Sequence, residues 1–597
     1  MLEGIDDIDW AALEHAYGPA DDVPALLRAA GSTDARDRDE AVDELYTSLC
    51  HQGSVYSATA PAVHFVARLA RDGPGRRLPL LWLLHGAADG AGPERQQARR
   101  AVATALPALL GLAADRDADV RRAMVWIVAA CEEASLPLLP LLRARLETEE
   151  DGEVRADLVT ALGLLDVAPE IGRARNQCLL SAPEPSVRRA AATDLLRTSS
   201  LPLPLALVES ALDAREAAPG DDDTFHPWPA SHVPLKQRLL DDPDAALRAV
   251  ERGLPMAWEL TETWRDRERD VLPWLADGAK DSEDLCRVAR AGAAMPGGEA
   301  APWLDSHLRS DATEIRVAAT LAAVRLRVPG ALGLVLRLMD ELPEAAASLR
   351  LTPLGTPGTV VTAAVEVFGT AAEPVARRVA ARPRAEWLDA LLPFPGLAAD
   401  CVDDLVGLLP ASAGVLAVLG PAAGRAAARA LRARAAAGDL PAALALVRVD
   451  GDAGPAVQLV NVMPDVVARR AAAVRVASEI GPSARELLPL LEERLRAPTQ
   501  ESRADAAAAI WRVTGRTHDT VPVIANSLSR RGDLYEPRLG ALRALTAMRL
   551  LPPAARPAVE HLVSSPRRVV RALLCDGTPH PDVVARELAR ELLAATG

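Results

Sequence analysis

Apolar residues recur at steps of three and four along most of the chain, and short polar turns separate the apolar stretches. The segment from Leu106 to Ala130 shows the pattern. It has an apolar stretch containing Pro107, a turn rich in Asp, and a second apolar stretch that opens with Val120 and Arg121. Such spacing predicts an amphipathic helix on each side of the turn. The chain is therefore predicted to be a series of helical hairpins.

The predicted hairpin recurs at a nearly constant period, marked by an arginine that follows the turn. Arg121, Arg155 and Arg188 are separated by 34 and 33 residues. A period of this length with two helices per unit is typical of a solenoid, because a single hairpin cannot bury its apolar face and stacked neighbours supply the core. The arginine ladder comprises Arg121, Arg155, Arg188, Arg316, Arg503, Arg538 and Arg571.

Three of the repeated segments, DRDADVRRAMVWIVAA, EVRADLVTALGLL and EPSVRRAAATDLL, resemble the HEAT family. The resemblance covers roughly residues 20–200, 300–345 and 480–597, and the signature fades between 345 and 480. It implies an all-α, armadillo-like α-solenoid, a superhelix of stacked antiparallel helical hairpins. The phycobilin-lyase HEAT-like proteins share this repeat. The stretch LYTSLCHQGSVYSATAPAVHFVARLA is similar to actinobacterial HEAT-repeat proteins, which implies a bacterial origin.

Breaks in the helical pattern divide the chain into three predicted parts. Residues 1–213 carry N-terminal HEAT-like repeats, and residues 301–597 carry C-terminal repeats that are degenerate over 345–480. Residues 214–300 form an atypical segment, because an acidic stretch rich in Pro and Gly is followed by a Trp-rich one. We interpret the acidic stretch as a surface loop within one continuous solenoid.

Composition and charge narrow the possible partners. The formal net charge is −15, which disfavours a general nucleic-acid binder, since such proteins need a basic face. The N-terminal residues are acidic where a secretory signal would be basic, and no apolar run is long enough for a membrane span. We therefore expect a cytoplasmic protein without membrane contact. Six cysteines without a CxxC pair are expected to be buried thiols rather than metal ligands.

The acidic loop contains the first candidate binding site. It brings carboxylates, imidazoles and an indole into one segment, and long loops on solenoids often contact ligands. The opposing interpretation is a solvated loop whose Trp packs on a neighbouring helix. Metal binding is disfavoured, because the two His are six residues apart and have no Cys nearby. The candidate residues are Asp222, Asp223, His226, Trp228 and His232.

A second cluster of polar side chains interrupts an apolar hairpin near the N-terminus. His51, Gln52 and Tyr56 either line the concave groove or close the loop between the first two hairpins, and we favour the loop. Tryptophans can also mark partner anchors. Trp126 nevertheless falls inside an apolar helical pattern, so we predict that it packs in the core.

The turns themselves carry acidic residues that can cap the following helix. Asp117 and Asp242 are predicted N-caps, and Asp311 with Glu314 has capping-box spacing. Resemblance to the HEAT family implies that each ladder arginine pairs with turn carboxylates of its own or a neighbouring unit. An anion-binding stripe is the alternative. Abundant Asp and Glu beside each arginine favour pairing.

The motifs of the sequence favour a binding protein over an enzyme. The chain has no phosphate-binding loop, dinucleotide fingerprint, HExxH or GxSxG, and no His-Glu dipeptide of the kind that deoxyhypusine hydroxylase uses. We therefore expect a non-enzymatic scaffold without a cofactor, binding a protein partner on its concave face. The alternative is an enzyme or enzyme-associated protein with a lyase-like or DNA-glycosylase-like groove near His226 or His51.

Overall fold

The computed structural model describes residues 2–75, 77–166, 169–217, 233–295, 301–342, 356–497, 499–529, 538–570, 572 and 575–596. The chain divides into two compact units, unit 1 from Met1 to Met256 and unit 2 from Ala257 to Gly597. Helices dominate both, and the predicted all-α class is confirmed. The division into three parts stays a prediction, because residues 218–232 and 296–300 of its middle part lie outside the described residues.

Unit 1 consists of helices joined mostly by short turns. A two-stranded antiparallel sheet near its start pairs β1 (Glu14–His15) with β2 (Gly18–Pro19), so that Glu14 lies opposite Pro19. Short 3-10 helices cover Ile5–Asp7, Trp10–Ala12, His51–Gly53, Leu110–Ala114 and Glu132–Leu138. The α-helices are α1 Val23–Ala30, α2 Ala35–Leu49, α3 Thr59–Asp72, α4 Arg77–Asp89, α5 Arg95–Leu109, α6 Ala118–Ala130, α7 Leu139–Thr148, α8 Gly152–Leu165, α9 Pro169–Leu179, α10 Pro185–Arg197, α11 Leu205–Ala217, α12 Val233–Leu239 and α13 Pro243–Glu251.

Helices of unit 1 pack as pairs, and the pairs stack through one core. α3 packs against α4, α7 against α8, and α9 against α10. The second helices of successive pairs also pack in series, from α4 to α6, α8 and α10, and α12 contacts α10. We call α4, α6, α8, α10 and α12 the second-helix row. A single hydrophobic cluster runs from Ile5 to Ala191, as expected when each hairpin buries its apolar face on its neighbours.

Aspartates in the turns determine where several helices begin. Asp117 and Asp242 each accept hydrogen bonds from backbone amides in the first turn of the following helix, which confirms both predicted caps. The predicted capping box of Asp311 and Glu314 is wrong. That helix begins one residue later, with Ala312 at its N-cap and no side-chain cap, so the Asp311 carboxylate is out of register with the free amides.

Unit 2 continues the helical pattern through the region where the sequence signature fades. Its 3-10 helices cover Gly369–Ala372, Ala385–Leu391, Gly420–Ala423 and Gly481–Leu487. Its α-helices are α14 Ala257–Thr263, α15 Glu268–Asp277, α16 Ser282–Ala294, α17 Leu304–Leu308, α18 Thr313–Arg325, α19 Ala331–Glu341, α20 Pro357–Phe368, α21 Glu373–Ala381, α22 Pro395–Asp400, α23 Val402–Gly407, α24 Ala413–Leu419, α25 Gly424–Ala436, α26 Leu440–Asp450, α27 Gly454–Val462, α28 Val466–Ile480, α29 Leu488–Arg494, α30 Gln500–Thr514, α31 Thr520–Ser529, α32 Arg538–Met548, α33 Arg556–Ser564 and α34 Pro581–Thr596.

In the described part of unit 2, three hydrophobic clusters follow one another along the chain, and neighbouring clusters share helices. The first extends from Ala279 to Val449, and α25 and α26 contribute side chains both to it and to the second cluster. α30 contributes to the second and third clusters. Because adjacent clusters meet on shared helices, the apolar seam is continuous through the degenerate repeats.

One apolar stretch of unit 2 is as long as a membrane span. Residues Gly358–Ala381 have a mean hydropathy of 1.2 over their most apolar 18-residue window, 44% of which is buried. A 3-10 turn at Gly369–Ala372 interrupts the stretch, and α20 packs its apolar side against Ala385–Leu391. In unit 1, Ala118–Ala130 and Glu132–Thr148 are as long and as apolar only when taken together, and the chain bends by 119° between them.

An extended segment between α33 and α34 returns to the first helices of unit 2. We call the described residues of 565–580 the strap. The backbone amide of Arg265 donates to the carbonyl of Pro566 at 3.0 Å, and the amide of Arg568 donates to the carbonyl of Thr263 at 2.9 Å. These partners are about 300 residues apart in sequence. The strap therefore joins the two ends of unit 2.

Arginines from α16 and α18 contact the C-terminal part of the strap. Nε of Arg290 on α16 donates to the carbonyl of Thr578, and Nε of Arg325 on α18 donates to the carbonyl of Gly577, each at 3.2 Å. Gly577 has a φ of +75°, and a Cβ atom there would lie 2.5 Å from the Leu321 side chain. Only glycine suits this position, because both the backbone conformation and the close approach exclude a side chain.

A buried ion pair lies beside the strap. Arg265 donates to both carboxylate oxygens of Asp582, at 2.6 and 2.9 Å, and to the carbonyl of Ser565 at 2.7 Å. The side chains of the pair are 3% and 1% exposed. Burial acts against ionisation of Asp582, but Arg265 and the backbone amides of Val569 and Val570 hold its pKa below the ordinary value.

We expect Asp582→Ala to destabilise unit 2 strongly, because it leaves the buried charge of Arg265 without its partner. Urea unfolding followed by circular dichroism should show a loss of about 3–5 kcal/mol in the free energy of unfolding. Asp305→Ala is the matched control. It removes a carboxylate from an exposed pair with Arg309, worth less than about 1 kcal/mol. Equal losses in the two variants would contradict the importance of the buried pair.

Candidate functional site

The first group of predicted binding residues cannot be placed. The segment 218–232 lies outside the described residues. It contains all five candidates of the acidic loop, Asp222, Asp223, His226, Trp228 and His232. Their predicted role in partner binding therefore stays a prediction.

The second group lies in the turn between α2 and α3. Nδ1 of His51 lies 3.3 Å from the hydroxyl of Tyr17, and the two rings meet edge to face with centroids 5.4 Å apart. Gln52 is exposed and has a φ of 48°, in the left-handed region. The amide of Tyr56 donates to the hydroxyl of Thr59 at 3.0 Å. These contacts are those of a turn that closes between two hairpins.

The arginine ladder holds the turns, as Arg121 shows most fully. Its Nε and Nη2 donate to the two oxygens of Glu149 at 3.0 and 2.9 Å, and Nη1 donates to the carbonyl of Asp115 at 2.9 Å. The Glu149 side chain is 2% exposed. Burial opposes its ionisation, but hydrogen bonds from Arg121 and Arg145 and the backbone amide of Asp151 lower the pKa of Glu149 to about 2.

Other members of the ladder repeat the contact with the carbonyl six residues earlier. The distance is 2.7 Å for Arg188, 2.8 Å for Arg316 and 2.9 Å for Arg503. Arg155 instead donates to the carboxylate of Glu184 at 2.6 Å. These contacts favour turn pairing over an anion-binding stripe, because each of these guanidinium groups already donates to a carbonyl or a carboxylate of a turn. Two ladder side chains lie outside the described residues, those of Arg538 and Arg571.

The cysteines and the acidic groups of the described residues show no metal centre. Cys50, Cys131, Cys286 and Cys401 are buried free thiols, and burial raises the pKa of Cys50 and Cys131 to about 12. Cys178 is exposed, so the prediction that every cysteine is buried is wrong. Within the described part of the chain, no three His, Cys, Asp or Glu side chains are placed to hold a metal ion.

A site that the sequence analysis missed lies along the second-helix row of unit 1. Two cavities of about 510 and 550 Å³ share Trp126 and Leu164 as common walls, and we call them together the Trp126 groove. The first cavity is lined by His85, Asp89, Trp126, Ala129, Ala130, Glu132, Glu133, Leu136, Leu164, Leu165 and Asp166. The second is lined by Trp126, Ala156, Asp157, Thr160, Leu164, Arg189, Ala190, Thr193, Asp194, Arg197, Gln237, Arg238 and Asp241.

Trp126 is the centre of the groove and also part of the core. It is 7% exposed, so its predicted core position is confirmed. Leu164, by contrast, is 54% exposed, although it lies on a helix whose other apolar residues are mostly buried. An exposed leucine beside a tryptophan, between two cavities, is the arrangement of a binding surface rather than of a core.

Buried charges surround the second cavity. Asp157 is 3% exposed, and its carboxylate accepts a hydrogen bond from Nε of Arg122 at 2.7 Å. Burial raises the pKa of Asp157 to about 6, although Arg122 and the Trp126 side chain act in the opposite direction. Asp194 accepts hydrogen bonds from Asn176 at 2.6 Å and from Arg197 at 2.6 and 2.8 Å. This cavity therefore offers a fixed polar network.

Carboxylates lie around the first cavity. Asp89 and Glu133 are exposed, whereas Asp166 is paired with Arg175 at 3.0 Å. His85 is 3% exposed, and burial lowers its pKa to about 4, so the imidazole is neutral near pH 7. The first cavity is consequently acidic in character and has no cation among its described lining residues.

One signal in the sequence points to the groove. Asp157, Thr160 and Leu164 occupy steps of three and four on α8, and so lie on one helix face. Polar residues on this face, within an otherwise Ala- and Leu-rich second helix, indicate a surface. The register that aligns these residues with Trp126 depends on packing between helices, so the sequence of one helix does not predict it.

No protein-family model and no curated protein matches the sequence. The fold is similar to Kap95 in the Kap95:Nup1 complex, with a TM-score of 0.51 and 12% identity over 96% of this chain and 89% of that chain. Kap121p bound to Pho4p matches 96% of this chain and 78% of its own at 12% identity, with a TM-score of 0.43. The likeness to Kap95 concerns the fold alone, and it defines the class of fold: this chain is an all-α solenoid.

We expect Arg121→Ala to reduce the free energy of unfolding of unit 1 by roughly 2–4 kcal/mol, because the buried Glu149 loses its bidentate partner. Arg116→Ala is the control, since the Arg116 side chain is exposed in the same turn. Chemical unfolding of both variants measures the difference. A ladder arginine that serves only as an exposed anion site would give no loss beyond that of the control.

The protonation of Asp157 predicts a pH dependence. Its pKa in the folded chain, about 6, is above the ordinary value, so the folded state binds this proton more tightly than the unfolded state. The contribution of Asp157 to stability should therefore increase as the pH falls through 6. When the pH is lowered from about 7.5 to 5, the unfolding free energy of the wild type minus that of Asp157→Asn should rise by roughly 1–2 kcal/mol. A constant difference would contradict the assignment.

Proposed function

We propose that this chain is a non-enzymatic scaffold that binds an extended segment of a protein partner in the Trp126 groove, on the concave face of the solenoid. The observation that carries the proposal is the exposed Leu164 beside Trp126, between cavities of about 510 and 550 Å³. Apolar anchors with polar groups around them are typical of the centre of a protein interface.

The dimensions of the groove suit side chains of a bound segment. Each cavity falls in the range of about 300–1,000 Å³ that is typical of ligand pockets. Two such cavities separated by one apolar wall match neighbouring side chains of one extended chain, whose backbone would pass over Leu164.

The architecture supports the same use. In a solenoid each repeat contacts only its neighbours, so one helix row remains available as a long surface. Kap95, whose fold is similar to this chain, occurs in a complex with Nup1. We propose that the second-helix row of this chain is the surface on which its own partner binds.

Other expectations from the sequence stay predictions. They include an actinobacterial origin, a cytoplasmic location, the absence of a cofactor, and the absence of nucleic-acid or membrane partners. The alternative of a lyase-like or DNA-glycosylase-like groove depended on catalytic residues near His226 or His51. His226 lies outside the described residues, and His51 contacts Tyr17 in a turn.

We expect Leu164→Glu to weaken partner binding, because it places a charge on the apolar wall of the groove. Partners captured by the full-length chain from extracts of its native host would be identified by mass spectrometry, then titrated as purified proteins. We expect at least about a tenfold loss of affinity for Leu164→Glu, the effect of about 1.4 kcal/mol.

Leu141→Glu is the control for this experiment. Leu141 is 44% exposed on α7 and lines a different cavity of the same unit. It should bind the partner within about twofold of the wild type, a change of less than about 0.5 kcal/mol. Equal binding by Leu164→Glu, equal loss in Leu141→Glu, or the absence of any captured partner would count against the scaffold.

A further inference from the structure

The first cavity of the Trp126 groove combines apolar walls with carboxylates. We propose that it binds the side chain of an arginine or lysine in the partner's extended segment, a proposal that rests on the scaffold function above. Leu136, Leu164 and the indole of Trp126 form apolar walls. A long basic side chain has the same division, since its apolar stem packs on such walls while its charged end reaches the carboxylates. An indole wall also attracts cations through the ring face.

Two of the carboxylates are already compensated by arginines of the chain. Asp166 pairs with Arg143 and with Arg175, and its side chain is 3% exposed. Glu132 pairs with Arg99. These groups fix the shape of the cavity, and their charge is largely matched before any ligand arrives.

The remaining two carboxylates are not compensated in this way. Asp89 and Glu133 are exposed, and neither forms an ion pair with another residue in the described part of the chain. His85 in the same cavity is buried, and because burial keeps its imidazole neutral at pH 7 it adds no positive charge. Negative charge beside apolar, low-dielectric walls attracts a cation and repels a phosphate or carboxylate.

The second cavity gives the bound segment a direction. Its lining has as many arginines as aspartates, so it offers hydrogen bonds without a strong net charge. A partner segment with a basic residue therefore gains more by placing it in the first cavity than in the second. The charge difference between neighbouring cavities selects one register and one orientation of the segment.

The test uses fluorescein-labelled nonapeptides of sequence Gly-Ser-Gly-Leu-X-Leu-Gly-Ser-Gly, in which X is arginine, lysine, citrulline or glutamate. Citrulline retains the shape of arginine without its charge. Fluorescence anisotropy with the full-length chain measures affinity. We expect the arginine and lysine peptides to bind about tenfold more tightly than the citrulline peptide, and the glutamate peptide more weakly still. Equal affinities for arginine and citrulline, or no binding of any peptide, would overturn the proposal.

Two double variants separate the local effect from net charge. Asp89→Asn/Glu133→Gln removes the uncompensated carboxylates, and Asp43→Asn/Glu44→Gln removes two exposed carboxylates from α2 of the same unit. The first should weaken binding of the arginine peptide by about tenfold and leave the citrulline peptide unchanged, while the second should change either by less than about twofold. Equal weakening by both variants would show only a general attraction to an acidic protein and would overturn the site.

The outcomes also separate this inference from the scaffold function. If a captured partner depends on Leu164 but its binding is unaffected by Asp89→Asn/Glu133→Gln, the scaffold stands and the basic side chain is refuted. If the partner is indifferent to Leu164→Glu, the groove itself is refuted, whatever the peptides show. We expect partner binding to be weakened both by Leu164→Glu and by Asp89→Asn/Glu133→Gln, and to be unchanged in the control Asp43→Asn/Glu44→Gln.

Discussion

Stacking of hairpins through a shared apolar seam is the constraint on which the rest of this structure depends. No hairpin buries its own apolar face, so α6, α8 and α10 must pack closely in series. Gly163 shows how close the approach is, because a Cβ atom there would lie 2.1 Å from the carboxylate of Asp194. The same packing aligns the outer faces of successive helices and brings Trp126 beside Leu164. The groove is thus a direct consequence of how the core is built.

Arginine side chains donate many of the hydrogen bonds and ion pairs that hold the turns and the strap. The chain has only two lysines, Lys236 and Lys280. A guanidinium can donate in several directions at once, so Arg121 holds a carboxylate and a turn carbonyl together, and Arg265 does the same for the strap. Such forked donors satisfy carbonyls at helix ends that stacking would otherwise leave without partners. Around the first cavity of the groove, arginines in the described part of the chain pair with Asp166 and Glu132 but not with Asp89 and Glu133. The cavity therefore keeps the negative charge that we propose a basic side chain of the partner meets.

Local patterns in the sequence predicted the fold, because helix periodicity, turn aspartates and the recurring arginine all act within one hairpin. The caps at Asp117 and Asp242 follow from this, whereas the box at Asp311 failed because the helix begins one residue later than its spacing implied. The groove required the register between helices, so Trp126 was assigned only to the core. Nothing local indicates that Arg265 contacts the strap, since the partners are about 300 residues apart.

Amide hydrogen exchange of the full-length chain, measured with and without its captured partner, tests whether the partner binds at the Trp126 groove. We expect slower exchange on binding in Ala118–Ala130 and Gly152–Leu165, the helices that carry Trp126 and Leu164, with little change in Leu139–Thr148. Slower exchange confined to unit 2, or equal changes throughout unit 1, would contradict a binding surface at the Trp126 groove.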